Sequence, residues 1–197
     1  MIKIIAYKAG NAPSVFHAVR HLGHKAEFAS SPADLKGAAC IILPGVGSAK
    51  ATMDSLRELD LIPALEEAVK ENKVPFLGIC IGLQILFDHS EENDTPCLGW
   101  LPGKVVKFDE SAVRVPQMGW NKVSFIKNTN VYDENGYFYF VNSYHALADN
   151  NDIWGEADYS GKFTAAVSRD NIYATQFHVE KSGEVGLKLL DNFIRWG

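Results

Sequence analysis

A chain of 197 residues with 47% hydrophobic and 22% charged content has the size and balance of one globular domain with a substantial core. Its net charge of -5 argues against nucleic acid or an anionic membrane surface as the main partner. No apolar run is long enough to span a membrane, and the apolar stretch in Met1 to Tyr7 is too short for a signal peptide. Three widely spaced cysteines (Cys40, Cys80, Cys97) without C-x-x-C suit a reducing cytosol rather than a disulfide framework. They offer no zinc spacing either, and there are no internal repeats or low-complexity segments. The expectation is one cytoplasmic domain over residues 1–197, holding no metal.

In chain order, Ile2 to Ala6 reads as a buried strand and Tyr7 to Asn11 as a turn. Pro13 to Leu22 follows as a helix with Val15, Ala18, Val19 and Leu22 on one face and Gly23 as a stop. Ala26 to Ala29 is a second strand, Pro32 to Ala38 a short helix, and Cys40 to Leu43 a third strand running into Pro44-Gly45-Val46-Gly47. Ala49 to Leu59 and Pro63 to Glu71 are amphipathic helices. Val74 to Ile79 is a strand apolar enough to be buried on both faces, and strong helix formers continue from Leu83 to Phe87. This alternation predicts an α/β fold: an open, mostly parallel sheet with helices on both faces. Beyond Cys97 the chain changes character, with short β-type runs at Lys104 to Phe108, Lys122 to Phe125, Tyr137 to Tyr144, Phe163 to Ser168 and Ile172 to Phe177. These predict an antiparallel extension of the sheet. Ser182 to Trp196 reads as a final helix with Ser182 as N-cap.

Chemistry concentrates at Gly78-Ile79-Cys80-Ile81-Gly82. A nucleophile with glycines two residues to either side, between strand and helix, is the sulfur form of the G-x-S-x-G elbow. The glycines let the turn tighten until the side chain is pushed out, and a following helix N-terminus favours thiolate over thiol. The alternative is a buried structural cysteine. Gly45 to Gly47 leaves the carboxyl end of the neighbouring strand, on the rim where such sheets bind ligands. With the N–H of Ile81 it is a candidate oxyanion hole, and without that partner it is a plain turn. No Walker lysine follows it. His178 and Glu180 stand two apart at a strand end, so an extended chain projects both to one side, as a base and its orienting carboxylate require. The competing assignment is a solvated strand end. His17, His21, His24, His89 and His145 lack such a partner, and Cys40 and Cys97 lack an activating context.

Taken together, Gly78 to Gln84 and Phe177-His178-x-Glu180 resemble the triad (class I) glutamine amidotransferases. Within that family, the chain is similar end to end to the glutaminase subunits of imidazole glycerol phosphate synthases. Tyr7-x-Ala9-Gly10-Asn11, Leu43 to Gly47, Met118-Gly119-Trp120-Asn121, Tyr137 to Val141 and Phe177 to Ser182 carry that similarity. The resemblance implies Cys80 as nucleophile, His178 as base and Glu180 as orienter. It implies that Gln84, Glu92 and the backbone around Ser143 and Tyr144 hold glutamine, beside an oxyanion loop of Gly45, Val46 and Gly47. It also implies that Asn11, Met118 to Asn121 and Lys181 meet a (β/α)8-barrel cyclase subunit, which receives the ammonia without an external cofactor. Several residues depart from the family pattern: Val179 replaces a proline, and Gln117 and Asn142 each replace a histidine. Ala6 and Lys8 replace aspartate and glycine, and no aromatic follows the glycine loop at Ser48 to Lys50. Most of these lie near the partner-facing rim. They leave a paralogue that feeds a different barrel enzyme, such as one aminating a sugar, as the alternative in the same class. An inactive regulatory module is the alternative in another class.

Overall fold

The computed structural model describes residues 1–8 and 10–197; Ala9, within the predicted first turn, lies outside the described residues. The first half alternates β1 (Ile2–Ile5), α1 (Ala12–His21), β2 (Ala26–Ala29), β3 (Cys40–Gly45), α2 (Ala49–Glu58), α3 (Leu61–Glu66), β4 (Phe76–Cys80) and α4 (Ile81–Gln84). The second half is a run of strands: β5 (His89–Ser90), β6 (Thr95–Pro96), β7 (Gly103–Lys107), β8 (Gln117–Phe125), β9 (Gly136–Asn142), β10 (Tyr144–Ala148), β11 (Ile153–Asp158), β12 (Lys162–Arg169) and β13 (Ile172–Thr175). Helix α5 (Gly183–Trp196) closes the chain.

All these strands join one sheet. β2, β1, β3, β4 and β13 lie side by side and parallel, and every residue of β3, β4 and β13 is buried. Strands covered on both faces need near-continuous apolar sequence, which made β3 and β4 legible. β13, expected in the antiparallel extension, instead lies parallel to β4 and belongs to the buried parallel half. Beyond β13 the sheet turns antiparallel through β12, β10 and β7, while β11, β8 and β9 branch from β12. The fold is therefore the expected α/β sheet with an antiparallel extension, but the extension has more strands than predicted. Only Ser143 separates β9 from β10, so the two read as one run. β11 escapes notice because register shifts around Gly155 interrupt its period of two.

Three helical expectations need correction. Pro32 to Leu35 is a single 3-10 turn, with Gly37 left-handed at φ 68° just after it. The helix expected to reach Glu71 stops as α3 at Glu66 and widens into a π turn over Glu67–Glu71. The helix after Cys80 begins at Ile81 and lasts one turn, rather than running from Leu83 to Phe87. Long-range bonds cut it short: the carbonyls of Ile85, Leu86 and Phe87 accept N–H groups from the returning Leu98 to Leu101 segment. Ser182 precedes α5 as expected, but its hydroxyl makes no cap and is used elsewhere.

The core has two connected parts. Ile4, Ile5, Ile41, Ile42, Leu43, Phe76 and Leu77 fill the parallel half, each worth about 1.5–3 kcal/mol if fully buried. Aromatic side chains dominate the antiparallel half, where Phe138 of β9 lies 4.2 Å, ring to ring, from Phe177. That contact anchors the residue preceding His178. The register pairs Gly45 with Cys80 and Ile79 with Thr175, so β3, β4 and β13 end at one level. Their carboxyl ends deliver the glycine loop, Cys80 and the Gln176 to Glu180 segment to one rim.

Candidate active site

Cys80 ends β4 at φ 57° and ψ -103°, a left-handed conformation that costs a non-glycine residue about 1–3 kcal/mol. The flanking glycines are required by close approach. A Cβ on Gly78 would sit 2.4 Å from the Gly82 carbonyl oxygen, and one on Gly82 would sit 2.2 Å from that of Leu43. Gly45 has a similar spacing duty, since its Cβ would lie 2.7 Å from that of Ile81. It remains inside β3 and is absent from the lining of the cleft, unlike Val46 and Gly47. Cys80 stands at the start of α4, a single turn, makes no side-chain cap bond there, and does not feel the field of a long helix.

The carboxylate Oε1 of Glu180 lies 2.9 Å from Nδ1 of His178, and Cys80 lines the same cleft as that imidazole, close enough to bear on its charge. Their meeting does not come from strand alternation. Glu180 sits in a 3-10 turn over Val179–Lys181, which folds its carboxylate back towards the ring. Ser182 fastens this turn: its hydroxyl donates to the His178 carbonyl at 2.6 Å and accepts from Tyr139 N–H at 2.9 Å. The side chains of His178 and Glu180 are only 3% and 1% exposed. Burial disfavours the imidazolium, but hydrogen bonds and charge from Cys80 and Glu180 outweigh it and raise His178 to about 10. Asn11 Nδ2 approaches Glu180 Oε1 at 3.4 Å, while Glu180 Oε2 is buried without a partner.

Glu180→Gln is expected to keep the fold and lose much of the turnover, though less than the roughly 10⁴-fold of a serine triad, because a thiol ionises more readily. A histidine held protonated to about 10 when folded, against about 6.5 unfolded, adds stability in full below about pH 6.5 and loses it as pH approaches 10. Urea unfolding should therefore show the variant's deficit widest near pH 6 and narrowing towards pH 10.

With Glu180 buried behind the imidazole, Cys80 and His178 line a cleft of about 280 Å³. Cys80, Ile81 and Gln84 form its floor, Val141 to Tyr144 one wall, and Val46, Gly47, Glu92, Pro116 and Lys181 its rim. Gln84 Nε2 donates to the Tyr144 carbonyl at 3.1 Å and to Gln176 Oε1 at 3.0 Å, leaving Gln84 Oε1 buried and unpaired. Glu92 accepts from Ala49 N–H at 2.8 Å, and burial raises its carboxyl pKa above the usual range despite that bond. Among the described residues, no cluster of three or more His, Cys, Asp or Glu could hold a metal. No described helix is long and apolar enough to cross a membrane.

The residues expected to face a partner divide into two groups. Met118 and Trp120 are 66% and 56% exposed on β8, the surface such a role needs, and Gly119 between them is left-handed at φ 133°. Asn121 instead donates to the Asp158 carbonyl at 2.8 Å, whereas Asn11 and Lys181 reach the triad and its cleft. His24 and His89 do have carboxylate partners, Asp191 at 2.6 Å and Asp94 at 2.8 Å, contrary to expectation, but neither lines the cleft. Burial pushes the Cys40 and Cys97 thiols up to about 11, the opposite of activation. Two features of the site escaped the sequence. Gln176 is fully buried with Nε2 3.6 Å from Cys80 Sγ, and Tyr7 donates to the Pro44 carbonyl at 2.8 Å beneath the glycine loop. Gln117 and Asn142, singled out in the sequence as departures from the family pattern, are buried cross-strand neighbours, each with an unpaired carbonyl oxygen, and Asn142 lines the cleft.

Fold and site together define a class of enzyme, and the chain belongs to it: the family described as glutamine amidotransferase class-I matches residues 4–196. A solved glutamine amidotransferase superposes with a TM-score of 0.79 at 18% identity, covering 98% of this chain and 97% of its own, so it speaks for the fold alone. Two more similar proteins are more specific. "Imidazole glycerol phosphate synthase subunit HisH 1" of Campylobacter jejuni is 44% identical, covering 99% of this chain and 100% of its own length. "Imidazole glycerol phosphate synthase subunit HisH" of Aromatoleum aromaticum is 46% identical, covering 99% and 98%.

Proposed function

We propose that this chain is the glutaminase subunit of an imidazole glycerol phosphate synthase, acting in the cytoplasm. The observation that carries the proposal is the convergence of Cys80, His178 and Glu180 on one small cleft, in a chain similar over its whole length to such subunits. The thiolate of Cys80 adds to the δ-carbon of L-glutamine, and the oxyanion is met by the N–H of Ile81 and one from the Val46 to Gly47 loop. The C–N bond breaks as His178 gives its proton to the leaving nitrogen, so ammonia departs and a γ-glutamyl thioester remains. His178 then takes a proton from water, which adds to the thioester carbon. The C–S bond breaks, glutamate leaves, and the thiolate and imidazolium are restored. The net reaction is glutamine plus water to glutamate plus ammonia. Gln84 Oε1 and Glu92, together with the backbone of Ser143 and Tyr144, are the groups we assign to holding the substrate.

A (β/α)8-barrel cyclase is the proposed recipient of the ammonia, for imidazole glycerol phosphate and AICAR formation. The test reconstitutes the chain with such a cyclase and supplies either glutamine or ammonium salts. Glutamine-dependent product formation should require this chain, whereas ammonium-dependent formation should not. Productive coupling only with a barrel enzyme that aminates a sugar would overturn the choice of synthase and leave the glutaminase in place.

A further inference from the structure

We infer that Gln176 is a further catalytic residue, an amide donor to the Cys80 sulfur whose orientation is dictated from the far side of the cleft. The assignment rests on the glutaminase chemistry proposed above. Its geometry begins at the Tyr144 carbonyl, which can only accept. Gln84 must therefore turn its amide nitrogen, and not its oxygen, towards Tyr144 at 3.1 Å. The same nitrogen lies 3.0 Å from the Gln176 side chain, so Gln176 must present its oxygen there. That leaves the Gln176 nitrogen, 3.6 Å from Cys80 Sγ, as a donor to sulfur. One backbone carbonyl thus sets the polarity of two amides in series. Both amides are enclosed, since Gln84 and Gln176 are 2% and 0% exposed, and the backbone N–H of Gln176 holds its main chain to the Ala165 carbonyl at 2.8 Å.

The chemical consequence is specific. A thiol can place its own proton on the Val141 carbonyl, 3.9 Å away, and has little use for a second donor. A thiolate gains a charge-assisted hydrogen bond from Gln176. That bond serves the nucleophile before attack and again when the thioester expels sulfur. It also links the floor that holds the substrate to the attacking atom, because anything that rotates Gln84 turns the wrong end of Gln176 to the sulfur.

The decisive experiment is the pH profile of Cys80 alkylation by iodoacetamide, which needs no bound glutamine, in Gln176→Met and Gln176→Glu. Methionine keeps the volume without a donor. Glutamate keeps the acceptor for Gln84 but offers sulfur an oxygen. Both profiles should move to higher pH by about one unit or more. In each variant kcat should fall about 10- to 100-fold, the factor a hydrogen bond to a charged group is worth, with KM little changed. If Gln176→Met does not fold, Gln176→Glu decides alone. A loss of activity with unmoved alkylation profiles reduces Gln176 to packing and overturns the assignment, as does full activity in either variant. Hydrolysis of glutamine with unmoved profiles sinks only Gln176. A shifted profile in a chain inactive on glutamine supports Gln176 and rejects the substrate.

Discussion

Replacing Cys80 by alanine is expected to abolish glutamine hydrolysis, with a loss on the order of the 10⁶-fold seen when a triad loses its nucleophile. The fold should persist, because alanine occupies the left-handed backbone at φ 57° at a steric cost similar to that of cysteine. A glutamine-like diazoketone should label Cys80 in the native chain and spare Cys40 and Cys97. Burial holds those two thiols at about 11, so at neutral pH almost none of either is thiolate, and no imidazole base serves them. Peptide mass spectrometry decides the matter. Label on Cys40 or Cys97 with Cys80 untouched would mean that the elbow is structural.

The elbow could be read in sequence because its constraints are local. Gly78 and Gly82 are demanded by contacts within a few residues and with the adjacent β3, and an apolar run followed by G-x-C-x-G encodes that arrangement. The buried strands β3 and β4 announced themselves for the same reason, whereas β13, expected in the antiparallel extension, joins the parallel half only through its pairing with β4. Features fixed by distant segments stayed hidden. Nothing between Leu83 and Phe87 says that Leu98 to Leu101 will claim the carbonyls and end α4 after one turn. Gln176 follows directly on β13 and reaches Cys80 only because β13 settles beside β4. The pairing of His178 and Glu180 was anticipated through strand alternation, but a 3-10 turn fastened by Ser182 to β9 brings them together. The residue types carried the chemistry, while the turn depended on a partner 43 positions away.

A second large effect is expected from the partner. Free ammonia in water is protonated and lost, so hydrolysis without an acceptor wastes glutamine. The surface proposed to meet the barrel is tied to the triad: Asn11 reaches Glu180 at 3.4 Å, and Lys181 follows Glu180 and lines the cleft. Exposed Met118 and Trp120 offer apolar anchors on β8. Docking that shifts the Val46 to Gly47 loop and presents one more N–H to the oxyanion is worth roughly 10²–10³ in rate. The lone chain should therefore be a poor glutaminase. Its activation should depend on the partner's own ligand only if that ligand favours the active arrangement over the resting one. Lys181→Ala should weaken activation while leaving diazoketone labelling of Cys80 intact. The most direct measurement is steady-state glutamate release by the purified chain, alone and with a cyclase subunit holding its ligand. The proposed function predicts a rise of at least about 10²-fold on the loaded cyclase, lost in Cys80→Ala. Full activity from the chain alone, or none with any barrel partner, would contradict it.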